Sequence, residues 1–560
     1  MPSVYDSKPW LKSYPQWLPQ SLPLPEKSVL DEFIYSVENY PDDPCIYYFD
    51  NTYSYKEIYQ KANALAQALH NMGLQKGDRV ICDMQNIPQV VISWLAIWMC
   101  SGIVVPLNPM FKLKEMEYYL NDSGAKLVIC QEDLYEPVFK PLSDKIKELK
   151  IITTSPLDFI DKNLGVPSQL ASCKKLLFDN TYDLIKLIEE NENTSAVIPP
   201  KKEGPSVDDT AFLVYTSGTT GPPKGAILTH SNIVHNAKVY EVACRLTRED
   251  VILGVAPLFH VTGIVAHVAI GFHLGIPIVL YHRFDPKDTF ELIQKWKVTF
   301  TVAAITVYIA LLNHPDVTKY DLSSLTKAYS GGAPVSPSIV EKFKNTVGCY
   351  IHNVYGLTES SSPATITPLG LEAPVDEESG ALSVGLIIPG HEAWIVDLDD
   401  PSKEVPFGEE GELVLRGPGI TKGYWQKPEE TNHAIKDGKF YTGDVAKIDE
   451  QGWCYIVDRK KDLIVASGFK VWPRDVEDVL YQHPAVKEAA VVGVPDPYRG
   501  ETVKAVVSLK EGYKTTPEEL IEFCKQRMAA YKYPRIVEIV DEVPKTATGK
   551  FLRRLLRDKK

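Results

Sequence analysis

The sequence predicts an α/β protein in which a large N-terminal domain of layered β-sheets, flanking helices and a β-rich subdomain precedes a small α+β domain. Three observations predict this architecture: the length of the chain, the alternation of strand-like and helix-like segments, and the short strand-like pieces separated by Gly and Pro after residue 404. At 560 residues the chain exceeds what one hydrophobic core usually supports. We therefore expect at least two packed units.

Strand-like and helix-like segments alternate in the N-terminal part of the chain. Residues 55–71 have the apolar period of an amphipathic helix, whereas residues 79–82 and 126–130 have the character of short strands. Such alternation predicts parallel sheets covered by helices. Two apolar runs, residues 90–105 and 264–280, are too short or too interrupted by Gly, Pro, Ser and His for membrane spans. We expect each to form a buried helix followed by a strand.

The length and spacing of the strand-like segments change in the C-terminal part of the chain. From residue 404 to 457, short strand-like pieces separated by Gly and Pro predict a β-rich subdomain. A charge run at residues 458–462 follows, and residues 487–560 are typical of a compact α+β module. We predict an N-terminal domain of residues 1–458 and a C-terminal domain of residues 459–560.

Composition and charge narrow the range of functions. Hydrophobic residues make up 44% and charged residues 24% of the chain, as in globular proteins. The net charge of -13 argues against nucleic-acid binding, which needs a clustered basic surface. The nine cysteines show no Cys-x-x-Cys spacing, which is typical of reduced thiols in a cytoplasmic protein. The first residues lack the apolar core of a secretory signal, so export is not expected.

Residues 215–225 form a loop dense in hydroxyl groups between a strand-like and a helix-like segment. Backbone amides, hydroxyls and one ammonium group can wrap phosphates, and glycine lets the main chain approach them closely. The Walker spacing does not occur in the sequence, which argues against kinases and P-loop ATPases. The candidate phosphate-binding residues are Thr216, Ser217, Gly218, Thr219, Thr220, Gly221 and Lys224.

Further motifs accompany this loop. They lie at residues 330–334, 355–360, 441–444, 457–461 and 544–550. Together with the loop they resemble the adenylate-forming superfamily of acyl-CoA synthetases, luciferases and nonribosomal-peptide adenylation domains. The resemblance covers nearly the whole chain and is strongest to medium-chain and long-chain fatty acyl-CoA synthetases. It implies ATP, Mg²⁺ and coenzyme A as ligands, and a carboxylic acid as the small-molecule substrate.

The resemblance implies where the nucleotide binds. It assigns the contacts with adenine and ribose to Gly331, Gly332, Ala333, Asn353, Tyr355, Gly356, Asp444 and Arg459. In this assignment the ring of Tyr355 packs on the adenine, and Asn353 contacts the adenine amino group. The carboxylate of Asp444 accepts from both ribose hydroxyls, and Arg459 is its basic companion.

The resemblance also implies which residues act on the phosphates. Glu359 and Thr216 are the expected protein ligands of Mg²⁺, a cation that prefers hard oxygen donors. Thr358 is expected near the α-phosphate, and Lys224 over the outgoing phosphates. Lys550 is the expected catalytic lysine, between the acid and the α-phosphate. Residues 1–458 would then bind the nucleotide and the acid, and residues 459–560 would form a mobile domain that carries Lys550.

The acid and thiol sites are less sharply defined. The acyl pocket is expected to involve residues 257–263 and 303–308. His260 either shields the carboxylate side of the catalytic site or packs in the core, and both interpretations stay open. Lys461 matches the hinge about which the C-terminal domain rotates in the family. Gly468 and Lys470 match the loop that lines the channel for the thiol of coenzyme A.

Several alternatives stay open. Within the superfamily they are an aryl-CoA ligase, a carrier-protein adenylation enzyme and a luciferase-like oxygenase. Outside catalysis, the chain could be a nucleotide-binding regulator without activity. The sequence predicts no nucleic-acid partner and no transmembrane segment, and it leaves peripheral membrane contact and a homodimer open.

Overall fold

A computed structural model describes residues 3–192, 204–216, 222–377, 380–459, 462, 464–466, 469–496, 499–545 and 551–557. The helices are α1 Val29–Asn39, α2 Tyr55–Asn71, α3 Pro88–Met99, α4 Leu113–Ser123, α5 Lys140–Lys145, α6 Leu184–Asn191, α7 His230–Ala243, α8 Ile270–Leu274, α9 Pro286–Trp296, α10 Ile305–Asn313, α11 Pro337–Val347, α12 Pro428–Ala434, α13 Pro473–Tyr481, α14 Pro517–Lys525 and α15 Arg553–Arg557. Two shorter elements near the site are a π-helix, Gly263–Ala269, and a 3₁₀-helix, Thr358–Ser360.

The strands are β1 Pro44–Tyr48, β2 Asn51–Ser54, β3 Arg79–Asp83, β4 Ile103–Leu107, β5 Leu127–Gln131, β6 Lys150–Thr154, β7 Tyr182–Asp183, β8 Thr210–Thr216, β9 Lys224–Thr229, β10 Ile252–Leu253, β11 Ile278–Leu280, β12 Phe300–Ala303, β13 Lys327–Ser330, β14 Ile351–Leu357, β15 Ser362–Ile366, β16 Gly385–Ile387, β17 Glu392–Val396, β18 Gly411–Arg416, β19 Ile435–Lys436, β20 Lys439–Ile448, β21 Trp453–Arg459, β22 Ile464–Ala466, β23 Phe469–Val471, β24 Val486–Asp496, β25 Gly500–Leu509 and β26 Ile536–Val540.

A seven-stranded sheet has the order β7-β6-β5-β3-β4-β8-β9 and is parallel except for the antiparallel pair β8–β9. The predicted alternation of strands and helices is confirmed here. Helix α2 has the predicted bounds because Ser54 and Glu57 cap its N-terminus reciprocally and apolar residues line one face. That face carries Ile58, Leu65 and Leu69, which are fully buried.

The two apolar runs are confirmed as buried helices followed by strands. All 12 residues of α3 are buried, and the chain then enters β4. The second run forms the π-helix, α8 and β11. In the part of the chain that the structure describes, no helix combines the length and the apolar character that crossing a membrane requires.

A second sheet of 14 strands runs in the order β17-β18-β20-β21-β16-β15-β14-β13-β12-β10-β11-β1-β2, with β19 beside β20. One part is mainly parallel, from β1 and β10 to β14, and the rest is antiparallel. Strand β14 joins the two parts because its first half pairs with β13 and its second half with β15. The predicted β-rich region therefore begins at β15, before residue 404, although it has a core of its own.

The C-terminal part contains a sheet of order β23-β22-β25-β24, with β26 beside β25. Helices α13 and α14 cover it, and their buried residues include Val476, Leu480 and Leu520. This α+β arrangement was predicted, but its first strand is β22, earlier than residue 487. The earlier start has a simple reason: β22 pairs with β25 and shares its hydrophobic core.

Candidate active site

The phosphate loop connects the two strands of a hairpin. Thr216 ends β8 and Lys224 begins β9, and the two residues are partners in the antiparallel register. Lys224 therefore belongs to a strand and not to the loop in which the sequence pattern placed it. A hydroxyl and an ammonium group consequently stand at the two ends of the same loop. The predicted loop residues Ser217, Gly218, Thr219, Thr220 and Gly221 lie outside the described residues.

Helix α4 holds both ends of this loop. The hydroxyl of Tyr215 donates to Oδ2 of Asp122 at 2.8 Å, and the hydroxyl of Tyr118 donates to the carbonyl of Pro223 at 2.6 Å. Lys427 lies 3.1 Å from Oδ1 of Asp122. Burial, reinforced by Asp122, raises the pKa of Tyr215, so its hydroxyl stays a proton donor. The loop thus starts and ends at fixed points.

The main chain turns sharply after Gly356. A Cβ atom at this position would overlap the carbonyl of Ser362, so only glycine fits. Ser361 and Ser362 have φ angles of 54° and 83°, which non-glycine residues rarely adopt. This tight reversal ends β14 and presents the 3₁₀-helix that contains Thr358 and Glu359.

Glu359 lies between that reversal and the phosphate hairpin. Its side chain is nearly buried, and the hydroxyl of Tyr424 donates to its Oε1 at 2.8 Å. Its backbone carbonyl accepts from the N–H of Thr421 at 2.7 Å. The 3₁₀-helix lies against both strands of the hairpin, β8, which ends at Thr216, and β9, which begins at Lys224. A carboxylate and a hydroxyl are hard oxygen donors and fit a magnesium ion.

The expected ribose and adenine residues are joined directly. The hydroxyl of Tyr355, on β14, donates to Oδ2 of Asp444 at 2.7 Å. Asp444 is 5% exposed, and its N–H donates to the hydroxyl of Thr442 at 3.1 Å. It is the register partner of Arg459 across β20 and β21. Burial and then Asp444 raise the pKa of Tyr355, which keeps this hydrogen bond intact at neutral pH.

The remaining adenine candidates surround β14. The side-chain amide nitrogen of Asn353 donates to the carbonyl of Ser383 at 3.1 Å, which sets the orientation of the amide. Gly331 follows β13, and a Cβ there would come within 2.5 Å of the carbonyl of Val354. Gly332 has a φ of +81° and leads into the partly buried Ala333. The Gly-Gly turn therefore packs directly against the strand that carries Tyr355.

A pocket opens beside this turn. Its lining includes His260, Thr262, Val302, Gly332 and Thr358. It therefore joins the region predicted to bind the acyl group to the predicted α-phosphate residue. Of the second predicted segment, residues 303–308, none lines this pocket, and the neighbouring Val302 does instead. Within that segment, Tyr308 on α10 is buried, and its hydroxyl donates to the carbonyl of Tyr329 at 2.7 Å.

His260 lies in the wall of this pocket. Its backbone N–H donates to the carbonyl of Pro257, and its own carbonyl accepts from the N–H of Ile264 at the start of the π-helix. Its Nδ1 accepts from the N–H of Thr262 at 3.3 Å, so the ring is oriented by its own turn. The structure thus places His260 at the pocket rather than deep in the core.

The structure describes the predicted site residues of the C-terminal part only in part. Lys461, Gly468 and Lys550 lie outside the described residues. For Arg459 and Lys470 the structure describes the backbone, in β21 and β23 respectively.

Sequence reasoning missed three residues that organise the site: Tyr424, Asp122 and Tyr215. Their partners are 65 or 93 positions away along the chain. Tyr215 is the first residue of the hydroxyl-rich segment 215–225, which was a usable signal. Tyr424 and Asp122 lie in segments that carry no spacing typical of nucleotide binding.

Comparison with known proteins identifies the family. The family model described as AMP-binding enzyme matches residues 33–425, and the model of the AMP-binding enzyme C-terminal domain matches residues 475–550. The chain belongs to the AMP-binding enzyme family. The resemblance stated from the sequence motifs and the predicted fold class are both confirmed. Membership makes the chain a nucleotide-binding enzyme, and the inactive-regulator alternative loses its support.

Two curated relatives cover nearly the full length of this family member. The Long-chain-fatty-acid–CoA ligase of Bacillus subtilis is 38% identical over 561 residues, which cover 99% of this chain and 98% of the relative. The Long-chain-fatty-acid–CoA ligase of Escherichia coli is 36% identical over 563 residues, 98% of each chain.

Solved structures in the family have the same architecture. MatB from Rhodopseudomonas palustris with bound ATP has a TM-score of 0.81 at 27% identity, over 95% of this chain and 98% of that one. The anthranilate CoA ligase AuaEII in complex with anthranoyl-AMP has a TM-score of 0.83 at 26% identity, over 96% and 97%.

Proposed function

We propose that this enzyme is an ATP-dependent fatty acid–CoA ligase that converts a medium-chain or long-chain carboxylic acid to its CoA thioester, with AMP and pyrophosphate as the other products. The proposal depends on one observation, the convergence of the predicted nucleotide-binding motifs. The 3₁₀-helix with Glu359 lies against the hairpin with Thr216 and Lys224, and the hydroxyl of Tyr355 on β14 donates to Asp444. The names of the full-length relatives support a fatty acid as the substrate.

The reaction requires activation of the acid. A carboxylate resists attack by a thiol because it is anionic and its oxygen is a poor leaving group. In the first step a carboxylate oxygen bonds to the α-phosphorus of ATP, and the bond from that phosphorus to the pyrophosphate oxygen breaks. In the second step the thiolate of coenzyme A attacks the acyl carbon, and AMP leaves with the electron pair of the broken C–O bond.

The proposed nucleotide contacts follow from strand β14 and its neighbours. The ring of Tyr355 packs on the adenine, against the turn at Gly331. The amide nitrogen of Asn353 donates to the carbonyl of Ser383, so the amide oxygen of Asn353 is the group that accepts from the adenine amino group. Asp444 accepts from the ribose hydroxyls, and Arg459 is opposite it on β21.

The phosphates require positive charge, because an anionic acid must approach an anionic triphosphate. Lys224, at the start of β9, contacts the outgoing phosphates, and Thr358 lies near the α-phosphate. Glu359 and Thr216 would hold Mg²⁺, whose charge offsets that of the phosphates when it is bound. Lys550 supplies positive charge between the acid and the α-phosphorus, and such electrostatic stabilisation of the transition state usually contributes most to the rate.

The carboxylate end of the acid binds at the pocket lined by His260 and Val302, next to Thr358. His260 shields the carboxylate end from water, since its ring is held in the pocket wall by Thr262. For the second step the C-terminal domain, residues 459–560, rotates about Lys461. This motion withdraws Lys550 and brings the loop with Gly468 and Lys470 to the thiol of coenzyme A. The two family models support a boundary between residues 425 and 475.

An aryl-CoA ligase is the second candidate, because solved structures with this architecture include an anthranilate CoA ligase and a benzoate CoA ligase. The test is a panel of acids from acetate to oleate, with benzoate and cinnamate. AMP release is measured with and without coenzyme A. We expect the greatest coenzyme A-dependent release with octanoate to oleate. Preference for benzoate would favour the second candidate, and no pyrophosphate with any acid would overturn both.

A further inference from the structure

Tyr424 connects two parts of the site that are far apart in sequence. Its hydroxyl donates to Oε1 of Glu359 at 2.8 Å, and its ring centroid lies 5.1 Å from Nζ of Lys224. A cation at that distance from an aromatic ring is attracted by the ring electrons. The same side chain therefore contacts the expected metal ligand and the expected phosphate-binding lysine.

The segment that carries Tyr424 is itself fixed to the phosphate hairpin. Tyr424 forms an antiparallel bridge with Ala226 of β9, and the N–H of Trp425 donates to the carbonyl of Gly225 at 2.8 Å. In the same segment, the hydroxyl of Thr421 donates to the carbonyl of Ile227 at 2.7 Å. Residues 421–425 thus run along β9 and are hydrogen-bonded to it.

The same segment also holds the backbone of the metal-ligand motif, since the N–H of Thr421 donates to the carbonyl of Glu359. Thr421 therefore holds the main chain of Glu359, and the hydroxyl of Tyr424 holds its carboxylate. A long, flexible side chain held in this way loses rotational freedom before the ligand arrives, which favours binding.

We propose that Tyr424 is a positioning residue that sets the carboxylate of Glu359 in the orientation that receives the divalent cation of the nucleotide complex. This inference rests on the proposed function, in which Glu359 is a metal ligand. Partners of this kind, which orient a ligand without touching the metal, typically change metal affinity by about 10- to 100-fold when they are removed.

The test uses the Tyr424→Phe variant of the full-length protein, which lacks one oxygen atom and keeps the ring near Lys224. Binding of Mn²⁺ in the presence of the α,β-methylene analogue of ATP is measured by the electron paramagnetic resonance signal of free Mn²⁺. We expect the dissociation constant of Mn²⁺ to rise roughly 10- to 100-fold. The affinity for the analogue in EDTA is expected to equal that of the wild type.

Tyr455→Phe is a matched control, because the hydroxyl of Tyr455 also donates to a carboxylate, that of Asp449, at 3.0 Å in a distant turn. We expect no change in Mn²⁺ affinity for this variant. Unchanged Mn²⁺ affinity in Tyr424→Phe would overturn the proposal. If the affinity of Tyr424→Phe for the ATP analogue in EDTA fell by the same factor, the proposal would also be overturned, because that result would indicate a general loss of structure.

A second pair of variants tests whether Tyr424 acts through Glu359. In a Glu359→Gln background, adding Tyr424→Phe is expected to change Mn²⁺ affinity less than about twofold, because residues that act as a unit are not additive. An equal effect in both backgrounds would refute the inference. The wild-type protein must show acid-dependent ATP–pyrophosphate exchange in parallel. Failure of that exchange counts against the proposed function, and not against the role of Tyr424 alone.

Discussion

The hydroxyl of Tyr355 donates to Oδ2 of Asp444 over 2.7 Å and so connects β14 to β20. The two residues belong to motifs 89 positions apart along the chain. The contact orients the carboxylate before a nucleotide binds. It also brings the residue proposed to stack on adenine next to the one proposed to hold ribose.

Replacement of Asp444 tests the ribose contact. We expect Asp444→Asn to raise the KM for ATP by roughly 10- to 100-fold, because hydrogen bonds to a charged group contribute about 1.5 to 3 kcal/mol. Initial rates at varied ATP concentrations measure this effect. Asp449→Asn removes a carboxylate that also accepts from a tyrosine, and it should leave the KM unchanged. A similar KM in the wild type and Asp444→Asn would rule out the ribose role.

Lys550 is expected to serve the first half-reaction only. We expect Lys550→Ala to lower acid-dependent ATP–pyrophosphate exchange by about 10²- to 10³-fold, the usual effect of removing one preorganised charge. Thioester formation from a supplied acyl-adenylate should be largely retained. Lys514→Ala, an exposed lysine of the same part of the chain, serves as the control. Equal loss of both half-reactions would contradict the assignment.

Gly356 leaves no room for a side chain. We expect Gly356→Ala to lower the free energy of unfolding by about 1 to 3 kcal/mol, because its Cβ would force apart β14 and the Ser362 carbonyl. Urea unfolding measures the loss. Gly204→Ala provides the comparison, since a Cβ there meets no atom within 4 Å and should change stability little. If both variants were equally stable, the tight reversal would not constrain this position.

A largely buried histidine should make stability depend on pH. His273 on α8 lies 2.9 Å from Glu241 of α7 and 3.2 Å from Glu32 of α1. Burial lowers the pKa of His273, but hydrogen bonds to Glu241 and Glu32 outweigh burial and raise it to about 9. The folded state therefore holds the proton more tightly than the unfolded chain, whose histidines titrate near about 6.5.

The stabilisation from His273 is fully present below pH of about 6.5 and is lost as the pH rises to about 9. We expect on the order of 3 kcal/mol of unfolding free energy to disappear over this interval. Urea unfolding at several pH values checks this. In His273→Gln the decrease should be smaller, and the same decrease in both proteins would show that other groups cause it.

The sequence by itself determined the local elements and the identity of the motifs. Helix α2 was predictable because its cap, its apolar period and its end depend on neighbours a few residues away. The hydroxyl-rich loop and the segment from Tyr355 to Glu359 were recognisable for the same reason, since the order of residue types within a short stretch carries the chemistry.

The tertiary structure alone decided which of these segments meet and what holds them. The bond from Tyr424 to Glu359, the bonds of α4 to the phosphate loop and the continuation of one sheet through β14 join residues far apart in sequence. Periodicity and turn chemistry act over a few residues, whereas these contacts depend on how whole sheets and helices pack. Residues such as Tyr424 and Asp122 therefore gain their roles from position in the fold and not from their neighbours in the chain.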